Sequence, residues 1–186
     1  MKSLESALIA ICRFLKQQNI PYMVIGGMAN AVWGEPRATL DIDITIWVED
    51  AKIKNVIQSL MPVFKLLPEN PHDFISKTRV LPIATQTNTR IDLLFGMLPF
   101  EESAISRAIE KDIHGTPVRF CTPEDLILHK IISDREKDLH DAENIIARQK
   151  NKLDIAYLEP RIKELAEILE KPEILEKWEA WKKNAE

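Results

Sequence analysis

The sequence predicts an α+β fold: a small mixed sheet with flanking helices, followed by a helical C-terminal portion. Three features predict it. Short runs of apolar alternation between Tyr22 and Cys121 are separated by glycine, proline and asparagine, the residues of turns. From Thr122 onward the apolar residues recur at helical spacing. The change is marked by Thr122-Pro123-Glu124-Asp125, with a hydroxyl cap, a proline at the first helical position and acids at the positive helix end. Residues 1–121 are therefore expected to form the sheet-bearing core, and residues 122–186 a helical region packed on it.

Taken in order, Leu4, Leu8, Ile11, Cys12 and Leu15 lie on one stripe and predict an opening amphipathic helix that stops near Asn19-Ile20-Pro21. Residues 22–25 follow as a strand, which Gly26-Gly27 breaks. Residues 28–33 read as a short helix closed by Gly34. The alternation of residues 41–48 predicts a strand. Residues 52–60 read as a helix, and residues 77–86 and 89–95 as two strands around the turn-like Thr87-Asn88. Pro99 starts another helix, and His114-Gly115-Thr116-Pro117 leads into a short strand at 118–121. Pro160 and Pro172 are expected to divide the remaining helical sequence into segments with their own apolar faces.

With 186 residues, 45% hydrophobic and 29% charged, the composition is that of an ordinary globular chain of one domain with a small helical appendage. No run approaches the roughly 18 apolar residues of a membrane span. Lys2, Glu5, Arg13 and Lys16 interrupt the first apolar stripe, which is unlike a signal peptide, so a cytoplasmic location is expected. Cys12 and Cys121 have no CxxC spacing and are expected to be buried and reduced. The net charge of −4 argues against coating nucleic acid by bulk electrostatics, while a local basic patch can still hold a nucleotide or an RNA end. Residues 1–121 carry 13 basic and 13 acidic side chains and residues 122–186 carry 12 and 16, so the acidity belongs to the C-terminal helices.

The chemistry-bearing pattern lies in the first half. Residues two apart on a strand share a face, so burial of Ile42, Ile44 and Ile46 turns Asp41 and Asp43 together to the other side, about 6 to 7 Å apart at the backbone. Two such carboxylates repel, and a divalent cation such as Mg²⁺ relieves that repulsion. An exposed edge strand with two aspartates is the plainer alternative. Gly26-Gly27 precedes this pair, where a strand gives way to a helix; glycines there let a phosphate approach backbone N–H groups, or serve an ordinary tight turn. Arg37 and Thr39 lead into the aspartates, and Arg37 suits either a phosphate or a structural salt bridge. Asp92 points away from the apolar side formed by Ile91, Leu93 and Phe95, which requires a ligand or a partner, Arg90 or Arg79 being candidates.

Gly26-Gly27, the Arg37-x-Thr39-x-Asp41-x-Asp43 run and the strand-borne Asp92 together resemble the nucleotidyltransferase superfamily with the DNA polymerase β-like fold. Residues 26–44 look like its minimal bacterial and archaeal members, including the AbiEii/MenT type of toxin nucleotidyltransferases. The resemblance implies that Gly26 and Gly27 touch the triphosphate of an NTP and that Asp41 and Asp43 bind Mg²⁺ or Mn²⁺. It also implies that Asp92 completes the metal site or activates the attacking hydroxyl. Gly27 stands where the family often has serine, leaving only backbone donors. Further on, Lys130, the Lys137-Asp138 pair and Asp141 look like the family's lysine, KD and D pattern, in which the lysine contacts nucleotide phosphates and the aspartate can serve as a base. On one continuous helix Lys130, Asp134, Lys137, Asp138 and Asp141 would share a face, the alternative being a solvated stripe of ion pairs.

The activity implied is metal-dependent transfer of a nucleoside monophosphate from NTP to an acceptor hydroxyl. Arg37, Thr39, Lys130, Arg135 and Lys137 fall on the nucleotide side, with Asp92 or Asp138 as base. The acceptor is left open among a tRNA or other short RNA end, a protein and a small molecule. A toxin would bring a cognate antitoxin as partner, and a resistance-type enzyme would modify an antibiotic. A catalytically inactive nucleotide-binding or interaction module on the same fold, and an unrelated α+β scaffold, are the other readings. His72, His114, His129 and His140 show no metal-ligand spacing, and Trp178 with Trp181 is expected to dock the last helix.

Overall fold

The computed structural model describes residues 2–185, and the side chains of residues 4–183. Elements follow in the order α1 (Lys2–Gln17), β1 (Tyr22–Val24), α2 (Gly26–Trp33), β2 (Asp41–Ile46), α3 (Ile53–Leu60), β3 (Lys65–Leu66), α4 (Pro71–Thr78), β4 (Val80–Ala84) and β5 (Arg90–Phe95). They continue with α5 (Pro99–Arg107), β6 (Ile109–Ile113), β7 (Thr116–Phe120), α6 (Pro123–Ile131), α7 (Glu136–Gln149), α8 (Ile155–Ile168) and α9 (Glu173–Ala185). The fold is α+β, with one mixed seven-stranded sheet in the order β3-β4-β5-β2-β1-β7-β6. The chain divides into two compact units, Met1–Met28 with Ala38–Phe120, and Ala29–Arg37 with Cys121–Glu186.

In the sheet unit, register decides what each face carries. β2 runs parallel to β5, pairing Ile42 with Ile91, Ile44 with Leu93 and Ile46 with Phe95, and antiparallel to β1, pairing Val24 with Ile44. Residues paired across strands share a face, and all of these are at most 2% exposed. β4 adds Leu81 and Ile83 to the same face through Leu93 and Ile91. α1 and α5 both pack on β2, and α1 contributes the fully buried Leu8, Ile11 and Leu15 of the expected stripe. With one face so committed, a slip of one residue would bury the aspartates.

Three elements of this unit differ from expectation. Residues 77–79 are not strand, because Asn70 caps a helix that opens on Pro71, accepting a hydrogen bond from the Asp73 N–H, and Arg79 ends it in the left-handed conformation. β3 is only two residues long and exists through pairing with β4. β6 is an edge strand whose Glu110, Lys111 and Asp112 are exposed, so it lacks the apolar alternation that marks a half-buried strand.

The second unit is helical as expected. Thr122 caps α6 by accepting from the Asp125 N–H, and its hydroxyl donates to Asp125 Oδ2 at 2.8 Å. α6 is buried almost throughout, and its acids are matched within the unit: Tyr157 donates to Asp125 Oδ1 at 2.6 Å and the Asp154 N–H to Glu124. Pro160 sits inside α8 and does not divide it. The helix is started by Asp154, which caps Tyr157, and burial of Tyr157, Leu158, Ile162 and Leu165 outweighs the one missing donor. Pro172 does fall between α8 and α9. Trp178 and Trp181 are buried, docking α9 as expected.

Cys12 and Cys121 are both buried and unbridged. Burial pushes the Cys12 thiol up to about 12 and the Cys121 thiol upward as well. No helix among the described residues is long and apolar enough to cross a membrane.

Removing the α6 cap tests the boundary between sheet and helices. Thr122→Ala is expected to lower unfolding free energy by about 1 to 2 kcal/mol, the worth of a well-buried cap, measured as a shift in the urea midpoint.

Candidate active site

The polar face of the sheet carries the proposed chemistry. Asp43 pairs in register with Asp92, and Asp41 with Arg90, so all four side chains rise from the same side of β2 and β5. Asp41, Asp43 and Asp92 each place a carboxylate oxygen within 4.8 Å of the others, and all three are half-buried. This is the only group of three or more His, Cys, Asp or Glu side chains with such geometry among the described residues. Arg90 Nε donates to Asp92 Oδ1 at 2.9 Å and Oδ2 at 3.2 Å. The bond to Asp92 and the charges of Asp92, Asp41 and Asp43 raise the guanidinium pKa above its ordinary value. Of the two candidate partners for Asp92, Arg90 is therefore the one that meets it; Arg79 pairs with Asp50.

The diglycine is built into the same cluster. The Ile25 N–H donates to the Asp43 carbonyl at 2.9 Å, which brings the end of β1 against β2. Gly26 follows at φ 62°, and a Cβ there would lie 1.9 Å from Asp43 Oδ2. A Cβ on Gly27 would lie 2.7 Å from Thr39 Oγ1. Thr39 Oγ1 in turn donates to Asp41, 3.1 Å from Oδ1 and 3.2 Å from the carbonyl. Besides opening a helix, both glycines thus make room for the side chains that hold or form the acidic cluster.

The candidates of the helical unit form a separate constellation. Residues 132–135 interrupt the expected continuous helix, because Arg135 takes an extended conformation at the start of α7 and the Arg135 N–H bonds Ser133 Oγ. The shared face of a single helix is replaced by contact between two helices. Lys130 Nζ reaches Asp138 at 3.0 Å and Asp141 at 2.7 Å, with Lys130 only 3% exposed. Asp138 also accepts from Ser133 and Arg135. Asp134 is exposed and pairs with Lys171, and Lys137 is exposed. Asp141, although part of the lysine, KD and D pattern, was not predicted as a functional residue; it accepts from Arg37 Nε and Nη2, Lys130 and Asn30. Its sequence signals were its place in that pattern and its spacing from Lys130, and the break between the helices turns that spacing into a contact between α6 and α7.

Burial alone would raise the Asp138 carboxyl, but hydrogen bonding and charge from Lys130, the Ser133 hydroxyl and Arg135 hold it below the usual carboxylate range. Asp141 is likewise held down, its burial outweighed by Arg37 and Lys130.

The mixed sheet, with its glycine-opened helix, D-x-D strand and third acid on the parallel neighbour, is a nucleotidyltransferase-like fold. The chain belongs to the family described as nucleotidyltransferase of unknown function (DUF6036), whose model matches residues 6–186. Among solved structures it is similar to an antigenic nucleotidyltransferase-like protein from Paracoccidioides brasiliensis, at 18% identity over 97% of this chain and 94% of that one, with a TM-score of 0.55. It is also similar to the antibiotic-resistance factor ANT(2'')-Ia, at 15% identity, 88% and 93% coverage and a TM-score of 0.57. The lincosamide antibiotic adenylyltransferase LnuA, lincomycin-bound, follows at 16% identity, 74% and 93% coverage and a TM-score of 0.50. At these identities the likeness is one of fold. No curated protein matches the sequence.

Two outcomes follow. Gly26→Ala is expected to cost about 1 kcal/mol or more from its positive φ, plus the displacement of Asp43. Thermal unfolding of the double-mutant cycle should therefore show a smaller cost of Gly26→Ala in an Asp43→Ala background. Asp141→Asn is expected to cost about 3 to 5 kcal/mol near neutral pH, because it leaves the buried Lys130 short of a counter-charge. Since the folded pKa values of Asp138 and Asp141 lie below the unfolded values near 4, their stabilisation is complete above about pH 4 and fades as pH falls through the folded values. Urea unfolding should accordingly show a smaller Asp141→Asn effect at about pH 3 than at pH 7.

Proposed function

We propose that this protein moves a nucleoside monophosphate from an NTP to an acceptor hydroxyl, releasing pyrophosphate, with Mg²⁺ or Mn²⁺ held by Asp41, Asp43 and Asp92. The observation that carries the reading is the convergence of those three carboxylates within 4.8 Å against Gly26. The donor set fits a hard divalent cation: all three ligands are oxygens, and ligands of one Mg²⁺ lie up to about 4.2 Å apart, which a small side-chain rotation reaches. When bound, such an ion supplies charge stabilisation of the triphosphate and lowers the pKa of an acceptor hydroxyl.

The chain's own groups do the rest. Gly26 and Gly27 offer backbone N–H groups at the start of α2 for phosphate oxygens. Thr39 holds Asp41 in place through its hydroxyl. Of the two candidate bases, Asp92 is favoured over Asp138, because Asp138 is buried, already accepts from three donors and is held below the ordinary carboxylate range. The acceptor oxygen would form its bond to the α-phosphorus as the bond to the β-phosphate bridge breaks, and the hydroxyl proton would pass to Asp92. In the helical unit Arg37 and Lys130 both pair with Asp141, Lys130 also with Asp138, while Arg135 and Lys137 are exposed. Toxin-type and resistance-type versions share this donor chemistry and differ in acceptor.

Incubation with α-labelled NTPs and Mg²⁺ or Mn²⁺ should transfer label to an RNA, protein or small-molecule pool. Asp41→Asn and Asp43→Asn should each reduce transfer about 100-fold or more, a loss of several kcal/mol of transition-state stabilisation. Nucleotide binding by a folded sample without any transfer would select a binding module instead, and absence of both would sink the reading. Label recovered in a small molecule would assign the resistance version; growth arrest on expression, relieved by a neighbouring gene product, would assign the toxin version with a cognate antitoxin.

A further inference from the structure

Arg90 stands in register beside Asp41, and its present partner is one of the proposed metal ligands. Its side chain is 55% exposed while that of Asp92 is 15% exposed, so the guanidinium lies at the solvent edge of the acidic cluster. A divalent cation and a guanidinium compete for the same carboxylate lone pairs. Once an ion takes Asp92, Arg90 is left beside the site with its donors open.

The register then shows what lies beyond it. Asp41 pairs with Arg90, Arg90 with Ala84 and Ala84 with Lys65, so one row crosses β2, β5, β4 and β3 with all four residues on one face. Lys65 is exposed, two strands or about 10 Å from Arg90 at the backbone. The hairpin that joins β4 to β5 at this end of the sheet reads Thr85-Gln86-Thr87-Asn88-Thr89, with hydroxyls and amides and no acid. The glycines follow β1, which pairs with β2 on the side away from β5. With the three aspartates on a metal, the flank away from the glycines carries two cations and neutral hydrogen-bonding groups.

We propose that Arg90 and Lys65 form an anion site on the acceptor flank, one that Asp92 occupies until a divalent cation displaces Arg90. The acceptor then carries an anionic group, a phosphate or a carboxylate, near the hydroxyl it offers; a polycationic acceptor would be repelled. Arg90 is a specificity-determining residue in this arrangement, and the inference rests on the metal site proposed above.

The test uses the whole 186-residue chain. Isothermal titration with Mg²⁺ alone should show Arg90→Met binding the ion about three- to fivefold more tightly than the parent, because an exposed ion pair worth up to about 1 kcal/mol no longer competes. Inorganic phosphate titrated into the Mg²⁺-loaded protein should bind at least about threefold more weakly to Arg90→Met and to Lys65→Met, with Lys54→Met, at an exposed lysine of α3 outside the row, unchanged. Acetate in place of phosphate separates a carboxylate-bearing acceptor from a phosphorylated one. The Arg90 Nε–H resonance should shift when Mg²⁺ is added. Mg²⁺ binding that is unchanged or weaker in Arg90→Met, or phosphate binding indifferent to both variants, overturns the anion site while leaving the metal site standing. Absence of Mg²⁺ binding in the parent protein overturns both.

Discussion

The close approach of Gly26 to Asp43 is the constraint on which the acidic cluster depends. The Ile25 N–H closes on the Asp43 carbonyl, so the chain leaving β1 must pass directly against the side chain of the second aspartate. Only a residue without Cβ fits, since the nearest carboxylate oxygen would lie 1.9 Å from it, and the turn requires a positive φ that glycine adopts without strain. Gly27 repeats the arrangement against Thr39, whose hydroxyl steadies Asp41. Acid placement, and with it the phosphate access proposed for these glycines, follows from one piece of backbone.

The two units treat their carboxylates differently. In the helical unit Asp138 and Asp141 are buried and surrounded by Lys130, Arg37, Arg135, Ser133 and Asn30, as buried charge requires, since removing one partner of such a set costs several kcal/mol. In the sheet unit three half-buried carboxylates converge with one exposed guanidinium nearby. That local excess of negative charge is tolerable beside solvent and is what a divalent cation would complete. The contrast is one of burial and pairing, although both sets belong to one sequence pattern.

Much of the site was legible because strand chemistry is local. Burial of Ile42, Ile44 and Ile46 follows from alternation and turns Asp41 and Asp43 to the other face without reference to the rest of the chain. The same reasoning holds for Asp92 between Ile91 and Leu93. Helix starts at Pro71, Pro99 and Pro123 carry cap or proline signals, yet the helix at Pro71 left little apolar periodicity to mark it, with Ile75 as its buried residue. Pro160 misled in the opposite direction, its local cost being smaller than the burial gained on both sides of it.

The sequence by itself determined the α+β class and the strand faces that carry Asp41, Asp43 and Asp92, since these depend on apolar periodicity within a few residues. Tertiary structure decided the pairings that no short window contains. β3 exists only as a partner for β4, Arg90 meets Asp92 while standing in register with Asp41, and Lys130 reaches Asp138 and Asp141 between two helices where one had been expected. The physical reason is the range of the forces involved: steric and hydrophobic periodicity act along neighbouring residues, whereas charge pairing is settled only once distant segments have been packed together.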